Sequence, residues 1–300
     1  MRILVTDQFT LTLPERHRFP IEKYSLLRHA ISAEGLTPPG EFFVPDPATD
    51  VELLMVHDAD YVAKVLDGTL DESELRRIGF PWSPELVQRS RRSVGATIAA
   101  CKFALEDGVA VSLAGGTHHG FPDRGEGFCV FNDTAVAVRA VQGKRMVERV
   151  LVVDCDVHQG NGTARIFSGD PAVFTFGLYG ANNFPFKKEK PDMGIPLEDG
   201  TGDEVYLAIL RESLAEAIEI ARPDLAIYLA GADPYEHDSL GRLGLTKSGL
   251  AARDRAVLGL LGGVNVPVAI TMAGGYAKDI QDTVDIHLET VRVALSSLDA

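Results

Sequence analysis

Six short runs, at 3–5, 109–113, 150–153, 172–176, 225–229 and 268–271, are apolar and rich in β-branched residues, with no polar–apolar alternation. A strand of that pattern has to be covered on both faces, as in a parallel sheet between helices. Helical patterns fill the intervals. Residues 84–105 open on Ser83 and Pro84, an N-cap and a first-turn proline, and 203–220 and 247–261 carry apolar residues at helical spacing. The alternation predicts an α/β fold: one open, mostly parallel sheet with helices on both faces. No repeat or low-complexity linker divides the chain; an α/β chain of this length often forms a single domain, here 1–300, with two domains possible but not required. Two turn-rich stretches interrupt the pattern, 37–50 and 180–202. A loop as long as the second is either a functional element or a surface excursion.

Charge and cysteine content narrow the partners. The 29 basic and 43 acidic side chains sum to −14, so the fold-wide basic footprint of a nucleic-acid binder is absent. A net negative field favours cationic substrates or partners instead. Cys101, Cys129 and Cys155 include no CxxC pair, which argues against a disulfide framework and for the reducing cytoplasm; they read as small apolar fillers. The N-terminal MRILVTDQFT reads as a first strand rather than a signal peptide, and no apolar stretch is long enough for a membrane span.

Ligands of an open parallel sheet bind beyond the carboxyl ends of its strands. Four of the runs end in segments rich in chemistry: Gly115-Gly116-Thr117-His118-His119-Gly120, Asp154-Cys155-Asp156-Val157-His158-Gln159-Gly160-Asn161-Gly162, Ala230-Gly231-Ala232-Asp233, and Ala273-Gly274-Gly275-Tyr276. Asp154, Asp156 and His158 are spaced by two, so a continuing strand would point all three the same way. Asp156 and His158, joined by Asp233 from another strand end, form a metal-ligand set with open coordination positions. Two carboxylates and an imidazole suit Zn²⁺ and also accept Fe²⁺, Co²⁺ or Mn²⁺. The alternative for DxDxH is a solvated surface turn.

The tandem pair His118–His119 follows two glycines that would let backbone approach a ligand closely. An imidazole there is a suitable general base for an activated water. Asp154 is placed to orient one imidazole and hold it charged; Asn161, without charge, is placed to orient the other, and the difference splits their basicity. The Tyr276 phenol is a candidate hydrogen-bond donor to a developing oxyanion, or simply a packed aromatic. Phe128, in Gly125-Glu126-Gly127-Phe128-Cys129 ahead of a helix starting near Asn132-Asp133, either walls a channel or packs in the core.

Taken together, VHDADYV from Val56, GGTHHG, GFCVFND from Gly127, DCDVHQGNG, AGAD and AGGY resemble the histone deacetylase superfamily, in the family's order and over most of the chain. Gln159, and RFPIEKY from Arg18, resemble the class IV branch and its bacterial relatives. The resemblance implies the arginase/deacetylase fold with an eight-stranded parallel sheet and zinc held by Asp156, His158 and Asp233. It implies His119 as general base, His118 paired to Asp154 as electrostatic partner, and Tyr276 as the transition-state donor. Gly127 and Phe128, with Phe184 opposite and Gly274 beside them, would line the acyl-lysine tunnel. Two departures stand out: Asn161 replaces the aspartate of some members, and Gly177 and Tyr179 replace a serine and a histidine near a structural K⁺ site, leaving K⁺ to be held through backbone carbonyls.

The function so implied is zinc-dependent hydrolysis of N-acyl amides, acyl-lysine first among them, with acetyl or the long fatty-acyl chains associated with class IV relatives. The alternatives are a deacetylase of small amines such as acetylpolyamines and a catalytically inactive acyl-lysine binding protein. An arginase-type binuclear manganese site would need further aspartates, and Asn161 counts against it. The sequence leaves oligomeric state open.

Overall fold

The computed structural model describes residues 1–15, 17–38 and 41–298. Pro39 and Gly40 of the turn-rich 37–50 stretch, and the last two positions of the 1–300 assignment, lie outside the described residues. Eight strands, β1 (Arg2–Leu4), β2 (Phe42–Phe43), β3 (Val109–Ser112), β4 (Val150–Asp154), β5 (Val173–Gly180), β6 (Met193–Leu197), β7 (Leu225–Leu229) and β8 (Val268–Thr271), form one sheet in the order β2-β1-β3-β8-β7-β4-β5-β6. Every neighbouring pair is parallel. The helices are α1 (Lys23–Ala33), α2 (Asp50–Leu53), α3 (Ala59–Asp67), α4 (Glu72–Ile78), α5 (Pro84–Asp107), α6 (Asp133–Gly143), α7 (Asn161–Ile166), α8 (Asp203–Ala221), α9 (Lys247–Gly262) and α10 (Ile280–Ser296).

The apolar runs are covered on both faces, as their composition requires. Along β4, Leu151 and Val153 pack with side chains of α8, α9 and α10, while Val150 and Val152 pack with those of α5 and α6. Each such buried aliphatic side chain contributes about 1.5–3 kcal/mol. The Ser83 hydroxyl caps α5 by accepting from the Leu86 N–H, and Asn132 caps α6 by accepting from the Ala135 N–H.

The two strands absent from the sequence reading lie at the sheet edges. β2 is two residues long within the turn-rich 37–50 stretch, and β6 crosses the middle of 180–202. β6 is mostly half-exposed and contains Pro196, which an edge strand tolerates because one side of its backbone needs no ladder bond. The expected continuation of β4 through His158 does not occur. The strand stops at Asp154, whose Oδ1 accepts the Asp156 N–H at 3.1 Å, and Asp156 Oδ1 in turn accepts the His158 N–H at 2.9 Å. Local side-chain bonds to backbone have replaced the ladder.

β3, β8, β7 and β4 are adjacent at the centre of the sheet, so the four chemistry-bearing ends converge. Arg253 of α9 braces two of them from below. Fully buried, it reaches the Gly231 carbonyl at 2.5 Å and the Cys155 carbonyl at 3.4 Å through Nη1, and pairs with Asp254 at 2.8 Å. Asp254 also accepts from the Tyr228 and Thr290 hydroxyls. Removing one member of a buried pair strands the other. Arg253→Met is therefore expected to lower unfolding stability in urea by about 3–5 kcal/mol; a loss below about 1 kcal/mol would contradict this bracing role.

Candidate active site

The turn after β4 brings three ligand atoms together. His158 Nδ1 lies 2.9 Å from Asp156 Oδ1 and 3.1 Å from Asp233 Oδ2. One donor atom from each of these three buried residues lies within 4.8 Å of the others. The other oxygen of each carboxylate accepts from backbone: the Gly274 N–H donates to Asp156 Oδ2 at 2.8 Å, and the Val157 N–H to Asp233 Oδ1 at 2.9 Å. Two carboxylates this close and this buried need positive charge. Burial and the Asp156 charge push Asp233 up to about 7. Burial opposes a charge on His158, yet its bonds to Asp156 and Asp233 push it up to about 10. A divalent metal binding there would compete with protons for His158 and Asp233. By donor chemistry and closeness, the set fits a divalent metal.

The tandem histidines sit beside this cluster in unequal settings. His118 Nδ1 is 2.7 Å from Asp154 Oδ2, and His119 Nδ1 is 2.7 Å from Asn161 Oδ1. Asn161 Nδ2 donates to Glu126, so its oxygen faces His119 as an acceptor and His119 carries its hydrogen on Nδ1. Its Nε2 is left with a free lone pair. Burial and the neighbouring charges of His118 and His158 hold His119 well below the ordinary imidazole range. Burial also opposes a charge on His118, but Asp154 and Asp156 outweigh it and push that imidazole up to about 9. The two rings, 4.2 Å apart between centroids, are thus pushed in opposite directions, one toward the charged form and the other toward the neutral base.

A cavity of about 900 Å³ opens over these groups. Phe184 stands edge-on to His119 at 4.9 Å, and Phe128 lies 6.0 Å from the Tyr276 ring. A side chain at Gly127 would strike His119 and crowd Phe184, so the wall runs directly past the imidazole. Phe128 adopts a left-handed backbone (φ 65°), which a bulky residue adopts only when held. Its N–H donates to the Ile78 carbonyl at 2.7 Å, and the adjacent Gly127 N–H to the Arg77 carbonyl at 3.1 Å. Burial and the charges of Asp156 and Asp233 push the Tyr276 phenol well above its ordinary value, so it remains a donor.

The Histone deacetylase domain family matches residues 17–291. The chain belongs to the histone deacetylase family. It is 43% identical to an uncharacterized protein of Picosynechococcus over 95% of both chains. It is 30% identical to histone deacetylase 2 of Arabidopsis thaliana, covering 87% of this chain and 70% of that one. The crystal structure of an HDAC homolog complexed with SAHA superposes with a TM-score of 0.85 at 25% identity, covering 99% of this chain and 83% of that one. The eight-stranded parallel sheet is the arginase/deacetylase fold of these neighbours.

Within this deacetylase-family fold, His118, His119, Gly127, Phe128, Asp156, His158, Phe184, Gly274 and Tyr276 line the cavity, while Asp154, Asn161 and Asp233 bond to its histidines. Gly115 and Gly116 line the cavity as well. Both have left-handed backbones, and a Cβ would press on Asp133 at Gly115 and on Ala273 at Gly116. Gly177 and Tyr179, at the place where the resemblance implies K⁺, border a cavity of about 20 Å³ behind Asp154. Cys101, Cys129 and Cys155 are free and buried.

Sequence reasoning missed the residues that fix the turns. Asp133 accepts from the Gly116 and Thr117 N–H groups. Asp238 accepts the Tyr276 N–H at 2.6 Å. Lys23 is buried without a carboxylate partner among the described residues; its Nζ lies 3.4 and 3.3 Å from the Ala273 and Gly275 carbonyls and 5.3 Å from the Tyr276 ring centroid. A lysine opening an amphipathic helix offers no sequence signal of such burial.

A Cβ at Gly274 would overlap Asp233 Oδ2 and lie 2.5 Å from Asp156 Oδ2. Gly274→Ala is accordingly expected to fold, by circular dichroism, and to bind divalent metal about 10–100-fold more weakly in a competition titration. Unchanged metal affinity would show that these carboxylates are not the ligands.

Proposed function

We propose that this protein is a zinc-dependent N-acyl-lysine deacylase, with residues 1–300 as one catalytic domain. One observation carries the reading: two imidazoles stand side by side against a buried Asp-His-Asp cluster, one held by the Asp154 carboxylate and the other by the neutral Asn161 amide. Hydrolysis of an amide calls on such an unequal pair, because a proton has to be removed from water and one delivered to the amine.

Asp156, His158 and Asp233 would hold the metal, and the chemistry supplied there is polarisation of the amide carbonyl and acidification of water, for which Zn²⁺ is suited and Fe²⁺ or Co²⁺ are also accepted. His119 Nε2 takes the proton of the attacking water. Tyr276 donates to the carbonyl oxygen as negative charge develops on it. The protonated His119 then delivers its proton to the departing nitrogen, so that the C–N bond breaks and an amine and a carboxylate leave. His118 stays charged against Asp154 and steadies the developing negative charge. Gly127, Phe128, Phe184 and Gly274 line the slot for the acylated side chain.

We place the enzyme in the cytoplasm, in keeping with three free buried cysteines; no described helix is long and apolar enough to cross a membrane. A small acylated amine as substrate, or an inactive acyl-lysine binding protein, would separate from this reading by turnover. Zinc-loaded protein is expected to hydrolyse acyl-lysine peptides, with kcat falling about 10²–10³-fold in Tyr276→Phe. Binding without turnover in the zinc-loaded wild type, or an unchanged rate in the variant, would refute the assigned roles.

A further inference from the structure

The whole chain carries −14, yet the mouth of the cavity does not share that sign. Arg18, Arg76, Arg77, Arg89 and Arg242 all line it, and the rim carboxylate among them, Glu126, accepts from Asn161 and has Arg124 at 3.8 Å. Arg76 pairs with Glu72 at 3.2 Å and Arg242 with Asp199 at 3.2 Å. Arg18, Arg77 and Arg89 have no carboxylate partner among the described residues.

These three are grouped by contacts in the fold. His17, next to Arg18, bonds the Gly79 carbonyl at 2.9 Å, which sets Arg18 beside the end of α4 that carries Arg77. Arg77 is backed by its own carbonyl's bond to Gly127, in the wall of the cavity. The Arg89 guanidinium lies 5.2 Å from both the Phe19 and Tyr24 ring centroids, and Phe19 in turn packs on Phe128. Three free guanidiniums therefore ring a slot whose own reaction partner, an amide, is uncharged. Their field acts on what flanks the amide.

We infer that the enzyme selects acylated lysines set in acidic peptide segments, with Arg18, Arg77 and Arg89 as the residues that determine this preference. The inference rests on the deacylase reading above. It reverses the expectation from net charge, because a substrate feels the nearby rim before the distant acidic surface, which salt screens beyond about 10 Å. An acylated polyamine, whose remaining amines are cations, is disfavoured by the same rim.

The test uses three labelled peptides with one acetyl-lysine flanked by glutamates, glutamines or lysines, plus an N-acetylated polyamine. Both Kd, by anisotropy or competition, and kcat/KM are measured on the zinc-loaded full chain. The acidic peptide is expected to exceed the basic one about tenfold in both at low salt, with the ratio collapsing toward one at high salt. Arg18→Glu/Arg77→Glu should invert the ratio, and Arg18→Gln/Arg77→Gln should bring it near one; both substitutions fall on exposed side chains. Equal Kd for acidic and basic peptides, or tighter binding of the polyamine, overturns the inference. Tighter binding of the acidic peptide with no turnover of any substrate supports the anionic preference while removing the deacylase reading.

Discussion

Two carboxylates, Asp156 and Asp233, are buried against one imidazole, and much of the surrounding structure answers the negative charge they concentrate. Their outer oxygens take backbone N–H groups from Val157 and Gly274. The strand ends that carry them are tied from below by Arg253, a buried cation whose own charge is met by Asp254. Glycine at 274 is required because any side chain there would overlap the carboxylates. The parallel sheet supplies the geometry: four adjacent central strands end at one rim, so residues more than a hundred positions apart meet without long connections.

The same charge organises the histidines. His118 is near both Asp154 and Asp156, whereas His119 bonds an amide and faces two imidazoles and the Phe184 ring. Two carboxylates beside one ring, and an amide with two imidazoles beside the other, separate the pair in basicity. Asn161 also fixes which His119 nitrogen carries the hydrogen, because its own amide group is committed to Glu126. Tyr276 completes the arrangement through its backbone, anchored by Asp238, and its ring, backed by Lys23.

Much of this was legible in the sequence. The central strands are apolar because they are covered twice, and six of the eight were found for that reason. The edge strands β2 and β6 were not, since a half-exposed edge carries little apolar signal and tolerates Pro196. The site residues were found because chemistry follows each strand end and because the motifs together resemble the family. Asp133, Asp238, Lys23 and Arg253 were not, because their work is to hold backbone carbonyls and N–H groups from distant segments, and no spacing rule reports such a contact. The arginine rim was hidden for a different reason: net charge averages over a surface, and a cavity mouth built from four separate segments has its own sign.

The central claim is that one buried carboxylate–imidazole cluster holds a single metal on which amide hydrolysis depends. The direct measurement is a titration of chelator-stripped protein with Zn²⁺, following bound metal per chain and turnover of acetyl-, octanoyl- and myristoyl-lysine peptides together. Saturation is expected at one metal per chain, with turnover of at least one of these peptides rising in proportion to occupancy. Full turnover in the stripped protein, or activity that appears only when a second metal binds, would contradict it.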